Sequence, residues 1–190
     1  MRPHRIDESE KKRILTLHET ATKKVYLMEQ KKDGSTMRAS QVFWDNIKNF
    51  EGNPKKKVGG IKEPMLKAYK DSKGIWTIGY GHTEGVIKGM KISNDIALKF
   101  LYDDAAESAD CVRRIFKEWK SKGLNYEITQ GQFDALVSLV FNAGCNAVRT
   151  SDFIQSIKKG DMKKAAEQIK SFRTAGGVDR RNKESEIFLS

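Results

Sequence analysis

The stretch LKAYKDSKGIWTIGYGHT, residues 66–83, decides how this 190-residue sequence folds. Apolar and polar residues alternate in parts of it, and many of them are β-branched or aromatic. Turn-forming pairs, Asp71-Ser72 and Lys73-Gly74, divide the stretch near its middle. The pattern predicts a short antiparallel hairpin or a three-stranded sheet. It is the only convincing β-structure in the sequence, so we expect the other ordered elements to be helices.

Helical patterns lie on both sides of this hairpin. Before it, Ser40 begins a helix that runs to Phe50 and ends at the glycine stop of Glu51-Gly52. After Ser93, apolar residues recur with a helical period almost to the end of the chain, with a possible break near Asp103. The sequence therefore predicts a mainly helical α+β fold, with a β-lobe at about residues 64–92 and an all-helical lobe at about residues 93–190.

The first 35 residues form a separate segment in this prediction. Between Asp7 and Gln30 the apolar residues lie on one side of a helix and Lys and Glu occupy the other. The polar stretch KKDGST that follows is typical of a linker. We place a boundary near residue 35, with the main domain at residues 36–190. The amphipathic helix either braces the large lobe or docks on a partner protein, and we favour docking.

The charge of the chain limits its partners. Lys and Arg number 36 against 25 Asp and Glu, and the net charge of +11 predicts attraction to nucleic acid, anionic lipid or a bacterial wall. No recognised nucleic-acid-binding motif is present. No apolar run of about 18 residues occurs, and the N-terminus has no apolar signal-peptide core. We therefore expect neither a membrane span nor a signal peptide, and no specific nucleic-acid partner.

The cysteines Cys111 and Cys145 lie far apart in the sequence and lack metal-ligand spacing. Two reduced, partly buried thiols are the simplest interpretation, because a disulfide would require their Cα atoms to lie within about 7 Å of each other. His82 has no second His or Cys at ligand spacing. We therefore expect no metal site.

Two acidic residues stand where the helix and the hairpin would meet a cleft between lobes, namely Glu51 and Asp71. Two carboxyl groups that face one cleft are typical of glycoside hydrolysis. One protonates the leaving oxygen, and the other handles water or the developing cation. Position alone is a weak argument, because the chain holds 25 acidic side chains.

Five motifs, in a fixed order, carry a resemblance to a known family. They are FEG (50–52), LKAYKD (66–71), GIWTIGYGHT (74–83), QFDALVSLVFNAG (132–144) and GGVDRRNKESEIFL (176–189). Together they resemble the tailed-phage lysozymes, the phage-type muramidases, from about residue 40 to the end of the chain. The resemblance implies a lysozyme-like fold of two lobes and hydrolysis of peptidoglycan without a cofactor.

The resemblance also implies roles for individual residues. Glu51 corresponds to the general acid, Asp71 to the aspartate that works with water, and Thr77 to the threonine beside the attacking water. The residues around them are expected to support the acid or to contact sugar: His82 braces the glutamate, either Arg180 or Arg181 pairs with it, and Tyr80, Gln132 and Asn142 are candidates for the sugar groove. For Tyr80 we favour a place in the core over a sugar-stacking one, and for Gln132 and Asn142 helix capping is the alternative to sugar binding.

One spacing departs from the family. Glu51 precedes Asp71 by 20 residues, about eleven more than the family usually has. The excess falls in the loop 53–63, which is rich in Lys, Gly and Pro and is expected to be mobile. Glu63 lies eight residues before Asp71 and is therefore a rival for the acid. We favour Glu51, because a core-forming helix would hold it rigidly.

The sequence thus predicts a muramidase that cleaves the β-1,4 bond between N-acetylmuramic acid and N-acetylglucosamine for phage-mediated lysis. A lytic transglycosylase, which needs the glutamate but not the water-handling pair, is one alternative. A non-catalytic virion or wall-binding component is another, and a nucleic-acid binder rests on charge alone. We expect the protein either in the host cytoplasm until its release to the wall, or on the virion, where the N-terminal helix would bind a tail or baseplate protein.

Overall fold

A computed structural model describes residues 31–53, 57–58, 60–71, 73–172 and 177–190. The helix predicted within residues 7–30 lies outside the described residues. The described helices are α1 (Gln41–Glu51), α2 (Asn94–Ser121), α3 (Gln130–Ala143), α4 (Cys145–Arg149), α5 (Asp152–Lys158), α6 (Met162–Ser171) and α7 (Gly177–Leu189). The strands are β1 (Lys32–Asp33), β2 (Lys57–Val58), β3 (Ile61–Lys62), β4 (Met65–Lys70), β5 (Trp76–Gly79) and β6 (Glu127–Ile128). This composition confirms the predicted mainly helical α+β fold.

The predicted hairpin is formed by β4 and β5, which pair antiparallel with Tyr69 opposite Thr77. A third extended segment runs along the other edge of β4. There the N–H of Ile92 donates to the carbonyl of Leu66 at 3.0 Å, and the N–H of Ala68 donates to the carbonyl of Met90 at 2.9 Å. The lobe therefore has the three extended segments that the sequence allowed as an alternative to a simple hairpin.

Helix α3 is the centre of the helical lobe. A capping box begins it, because the Thr129 side chain accepts from the N–H of Gln132 while the Gln132 side chain accepts from the N–H of Thr129. Residues 131–140 are all buried, as expected of a helix packed on several sides. It packs against α2 and α7. Helix α2 runs without the break that the sequence allowed near Asp103.

Residues 32–37 pack on the helical lobe instead of forming a free linker. Strand β1 pairs with β6, with Lys32 opposite Ile128, and Met37 is only 5% exposed. A Cβ at Gly34 would stand 2.7 Å from the Phe116 ring, so the chain approaches α2 closely at this point. The polar residues of this segment predicted a linker or turn. Its contacts with β6 and with Phe116 on α2 hold that turn against the helical lobe. The division of the chain near residue 35 stays a prediction.

The inserted loop contains a short hairpin, where irregular chain was expected. Strands β2 and β3 pair antiparallel, with Val58 opposite Ile61. The two ends of the loop are tied together, because the N–H of Asn53 donates to the carbonyl of Glu63 at 2.6 Å. The first and last residues of the insertion therefore lie next to each other at the end of α1.

Cys111 on α2 and Cys145 at the start of α4 form a disulfide, with Cα atoms 5.9 Å apart. The expectation of two reduced thiols was wrong. Helix α3 stops at Gly144, whose φ of 86° glycine adopts readily, and the chain then turns back toward the middle of α2. A separation of 34 residues in the sequence does not reveal that return.

We predict that replacing both cysteines with Ser lowers the free energy of unfolding by about 4 kcal/mol, because the cross-link restricts a loop of this length in the unfolded chain. Urea denaturation of the oxidised wild type and of the double variant measures the difference. Wild type kept in a reductant is the control and should match the double variant. Equal unfolding free energies for oxidised and reduced protein would contradict the prediction.

Asp134 on α3 holds the start of α1. It is 1% exposed, and its carboxylate accepts hydrogen bonds from the N–H and hydroxyl of Ser40 and from the side-chain amide of Gln130. Burial raises the pKa of Asp134 from 3.8 to about 6, although these hydrogen bonds act in the opposite direction. A carboxyl whose pKa is higher in the folded state stabilises the fold at low pH, and that stabilisation is lost as the pH rises to about 6.

We predict that Asp134→Asn, which is neutral at every pH, gains stability relative to the wild type as the pH rises from 4 to 8. The gain should be about 2 to 3 kcal/mol, because a shift of one pKa unit corresponds to about 1.4 kcal/mol. Urea denaturation of both proteins at the two pH values measures it. A difference between the proteins that does not change with pH would refute the assignment.

Candidate active site

Glu51 is the last residue of α1, and two features hold it in place. Phe43 and Ile47 on the same helix are buried in the core, at 2% and 0% exposure. Beyond the helix, a Cβ at Gly52 would stand 2.5 Å from the Cβ of Lys62. Glycine therefore allows β3 to pass against the end of the helix, and the acid lies between a core helix and this strand.

Arg180 on α7 is 5% exposed and donates through Nη1 to Oε1 of Glu51. The same guanidinium donates through Nε to Oε1 of Glu184 at 3.0 Å and through Nη2 to the carbonyl of Ser138 at 3.2 Å. Its central carbon lies 4.7 Å from the centroid of the Phe50 ring. The guanidinium is a rigid plane of N–H donors. Its bonds to partners on α3 and α7 therefore also fix the direction of the N–H group that donates to Glu51.

Arg181 completes this buried group of charges. It donates to Oε2 of Glu184, to the side-chain oxygen of Asn142 and, at 2.9 Å, to the carbonyl of Phe172. Glu184 is fully buried. Two arginines thus face two glutamates, and a buried cluster of balanced charge is far less unfavourable than an unpaired ion. The sequence left open which arginine meets Glu51, and the structure places Arg180 there.

Asp71 and Thr77 come from the hairpin turn and from β5. Oδ1 of Asp71 accepts hydrogen bonds from the N–H groups of Lys73 at 2.9 Å and Ile75 at 2.8 Å, so the carboxylate closes the turn. Thr77 is 3% exposed, and its hydroxyl donates to the carbonyl of Ile75 at 3.1 Å. A carbonyl can only accept, so the Thr77 oxygen keeps its lone pairs available.

Tyr69 shows that the two acids share one site. Its phenol pKa is raised by burial first, and then by the negative charges of Glu51 and Asp71. Both carboxylates therefore lie within electrostatic reach of one hydroxyl. Tyr69 stands opposite Thr77 in the hairpin, so it pairs with one predicted catalytic residue and lies within electrostatic reach of the other two.

The rival acid, Glu63, has a different tyrosine as its neighbour. After burial, the negative charge of Glu63 raises the pKa of Tyr80, whereas Glu51 acts on Tyr69. The bond from Asn53 to the Glu63 carbonyl closes the inserted loop beside the end of α1. Glu51 therefore remains beside the hairpin although its sequence distance from the hairpin is long.

Two of the residues predicted to bind sugar have structural positions instead. Tyr80 is 6% exposed, and its hydroxyl donates to the carbonyl of Lys62 at 3.4 Å. Gln132 is also 6% exposed and accepts from the N–H of Thr129 in the capping box of α3. Burial removes both side chains from contact with a sugar. Asn142 is partly buried and is held by Arg181 at the other end of α3.

His82 was expected to brace the glutamate, but its ring contacts lie on α2. Nδ1 is 2.9 Å from Oδ2 of Asp104, and the ring stacks on Phe100 with centroids 4.1 Å apart. The residue that borders the acid is Gly81, where a Cβ would stand 3.4 Å from Oε2 of Glu51. Its φ of 96° turns the chain, which directs the following histidine to the helix.

A groove of about 400 Å³ opens beside the acid. Its lining includes Gly81, which borders Glu51, together with His82, Asp104 and the disulfide. A larger cavity, of about 540 Å³, lies between residues 35–39 and α2. The described lining of this larger cavity contains arginines but no carboxylate. The groove at Gly81 is therefore the candidate binding site. Across the described ranges, no group of three His, Cys, Asp or Glu side chains is arranged to hold a metal ion.

Sequence reasoning missed three residues of this site. Glu184 follows Arg180 by four positions and Arg181 by three, which are the spacings of ion pairs along a helix, so the signal was present. Ser138 is a polar residue within the most apolar helix. Tyr69 carried no signal of its own, because its importance depends on which face of the hairpin meets Glu51.

Comparison with known proteins gives concordant matches. A family model described as phage lysozyme matches residues 56–184. The endolysin of Bacillus phage B103 is 34% identical over 161 residues, which cover 81% of this chain and 55% of that protein. The endolysin of Acyrthosiphon pisum secondary endosymbiont phage 1 is 34% identical over 135 residues, 66% of this chain and 87% of that protein. The solved endolysin from Escherichia coli O157:H7 phage FAHEc1 is 31% identical with a TM-score of 0.65, covering 82% of this chain and 95% of its own.

The fold defines a class, the lysozyme-like proteins of phages. The chain belongs to the phage lysozyme family, as the five sequence motifs predicted. It spans about half the length of the Bacillus phage endolysin, at 55%. The family match begins after Glu51, so the assignment of the acid rests on the geometry above. No helix in the described part of the chain is long and apolar enough to cross a membrane.

We predict that Gly81→Ala lowers the turnover of purified peptidoglycan about tenfold, because strain at a φ of 96° would shift the backbone beside the Glu51 carboxylate, which the new methyl group would contact at 3.4 Å, and small displacements of reacting groups are costly. Gly89→Ala is the matched control. Gly89 has a similar φ of 85°, but its Cβ would meet no atom within 4 Å. Both variants should lose about 1 to 2 kcal/mol of stability from backbone strain. Equal losses of activity at equal amounts of folded protein would show that strain alone is responsible.

Proposed function

We propose that this chain is an N-acetylmuramidase, which hydrolyses the β-1,4 bond between N-acetylmuramic acid and N-acetylglucosamine in peptidoglycan. The observation that supports the proposal is that Glu51, which is paired with Arg180, and Asp71, which closes the hairpin turn, both lie within electrostatic reach of the Tyr69 hydroxyl. The groove is lined by Gly81, which borders Glu51, and is the path that we propose for the polymer. The substrate class comes from membership of the family, and the net charge of +11 favours an anionic wall.

Glu51 is the general acid in this proposal. It transfers its proton to the oxygen that leaves the muramic acid ring, and the bond between that oxygen and the anomeric carbon breaks. The carboxylate that remains is stabilised by the guanidinium of Arg180. Glu184 and Ser138 hold that guanidinium before the reaction, so little reorganisation is needed when the charge appears.

Asp71 and Thr77 handle the water. Oδ1 of Asp71 is occupied by two backbone N–H groups, which leaves Oδ2 to accept the proton of the attacking water. The oxygen of Thr77 accepts the other hydrogen of that water, because its own hydrogen is bonded to Ile75. The water attacks the face opposite the leaving group, which inverts the anomeric carbon. The proton of Glu51 thus goes to the leaving oxygen and the proton of the water goes to Asp71, and the proposed reaction uses no cofactor.

Two other functions are less well supported. A lytic transglycosylase uses an internal sugar hydroxyl instead of water, so the ordered pair of Asp71 and Thr77 would have no purpose in it. A non-catalytic virion or wall-binding component was conceivable because of the insertion beside the acid. The bond between Asn53 and Glu63 joins the two ends of that insertion and leaves Glu51 at the end of α1, beside the hairpin. The geometry therefore favours a hydrolase.

The place of action is part of the proposal. As an endolysin, the protein would collect in the host cytoplasm and reach the wall on release. As a virion lysozyme it would reach the wall from outside, with a tail or baseplate protein bound to residues 7–30, which lie outside the described residues. The disulfide suits the oxidising conditions outside the cytoplasm that both routes reach.

We predict that Glu51→Gln lowers the rate of peptidoglycan cleavage by about 10³-fold, because a positioned proton donor contributes about 10²- to 10⁴-fold. Glu63→Gln is the matched control and should stay within about threefold of the wild type, since the charge of Glu63 acts on Tyr80 and not on Tyr69. The measurement is turnover of purified sacculi, with mass spectrometry of the released muropeptides.

Each alternative gives a distinct result in this assay. Reducing muropeptides from the wild type support hydrolysis, whereas anhydro products would identify a transglycosylase. Loss of activity in Glu63→Gln but not in Glu51→Gln would reassign the acid. A wild type that binds sacculi but releases nothing would leave the non-catalytic component.

A further inference from the structure

The attacking water of the proposed reaction lacks one partner. It donates one hydrogen to Oδ2 of Asp71 and the other to Oγ1 of Thr77, and one lone pair forms the bond to the anomeric carbon. The second lone pair needs a hydrogen-bond donor if the water is to be held in one orientation. Thr77 cannot provide it, because its hydrogen is bonded to the carbonyl of Ile75.

Tyr69 is placed to supply this donor. It stands opposite Thr77 in the hairpin, and residues directly opposite each other project from the same face of a sheet. The neighbouring pair, Lys70 and Trp76, projects from the other face, where the Lys70 ammonium lies 5.6 Å from the centroid of the Trp76 ring. The Tyr69 side chain therefore shares the face of the water-handling threonine.

The charges around Tyr69 keep its proton in place. Burial raises its pKa above the ordinary value of 10, and Glu51 and Asp71 raise the pKa further. A phenol with a raised pKa remains protonated at the pH values where most proteins are stable. It can donate a hydrogen bond there, but it will not give up the proton itself.

We propose that Tyr69 is a further catalytic residue, whose hydroxyl donates a hydrogen bond to the water that attacks the anomeric carbon. The proposal rests on the proposed muramidase function. Tyr69 transfers no proton in this role: the proton of the water goes to Asp71, and the proton of Glu51 goes to the leaving oxygen. Three side chains then hold one water, namely Asp71 and Thr77 as acceptors and Tyr69 as the donor.

The test is Tyr69→Phe, which keeps the ring and removes the donor. We expect kcat on soluble peptidoglycan fragments to fall about 10- to 100-fold, somewhat less than the loss of a donor to a full oxyanion. KM should stay within about twofold, because the hydroxyl contacts water and not sugar. The matched control is Tyr126→Phe, which removes a hydroxyl that donates to the carbonyl of Lys158, the last residue of α5. Its kcat should match the wild type at equal amounts of folded protein.

A double-mutant cycle with Thr77→Val separates this role from simple packing. If both residues hold the same water, the double variant should be no more than about threefold slower than the slower single variant, since groups that act as a unit are not additive. Three results would each overturn the proposal. In the first, the losses of kcat in the two single variants multiply in the double variant. In the second, kcat of Tyr69→Phe is unchanged, and in the third, that variant unfolds at a clearly lower urea midpoint than the wild type. A wild type that cleaves nothing would overturn the muramidase function itself, and the Tyr69 role with it.

Discussion

The buried guanidinium of Arg180 is the interaction on which the site depends. It joins the end of α1, through Glu51, to α3 and α7, through Ser138 and Glu184. Removing one partner from such a buried ion pair typically costs about 3 to 5 kcal/mol, because the other charge is left unpaired. Glu184 is fully buried, so water cannot replace a partner that it loses. The arginine that orients the acid is therefore also part of the core, so catalytic geometry and stability share one set of contacts.

The insertion beside Glu51 shows how that arrangement survives a change in the length of the chain. Its two ends meet where Asn53 bonds to Glu63, and β3 passes Gly52 at a distance that only glycine allows. Most added residues in a surface loop cost little stability. What a lysozyme fold cannot tolerate is a shift of the acid relative to the hairpin, and a loop that begins and ends at one point produces no such shift.

Local signals made most of the fold predictable, and long-range contacts explain the errors. Ser40 caps α1 at the predicted start of that helix, and Asp71 closes the predicted turn of the hairpin, because each effect acts within a few residues. The pairing of Cys111 with Cys145 and the burial of Tyr80 depend on elements that meet only in the folded chain. Family motifs selected the three catalytic candidates, but no local pattern distinguished Arg180 from its neighbour or drew attention to Tyr69.

The two sides of the site are held in different ways, and the difference follows from what each side does. In the proposed mechanism Glu51 must keep one position while its charge changes, and a core helix and a buried arginine hold it there. The water side is held by the hairpin's own turn, where one oxygen of Asp71 closes the turn and the other is left for water. Asp71 thus shapes the element that presents it. The proposed base and the turn that presents it are therefore one structural unit, so a substitution of Asp71 would change the shape of the hairpin together with its chemistry.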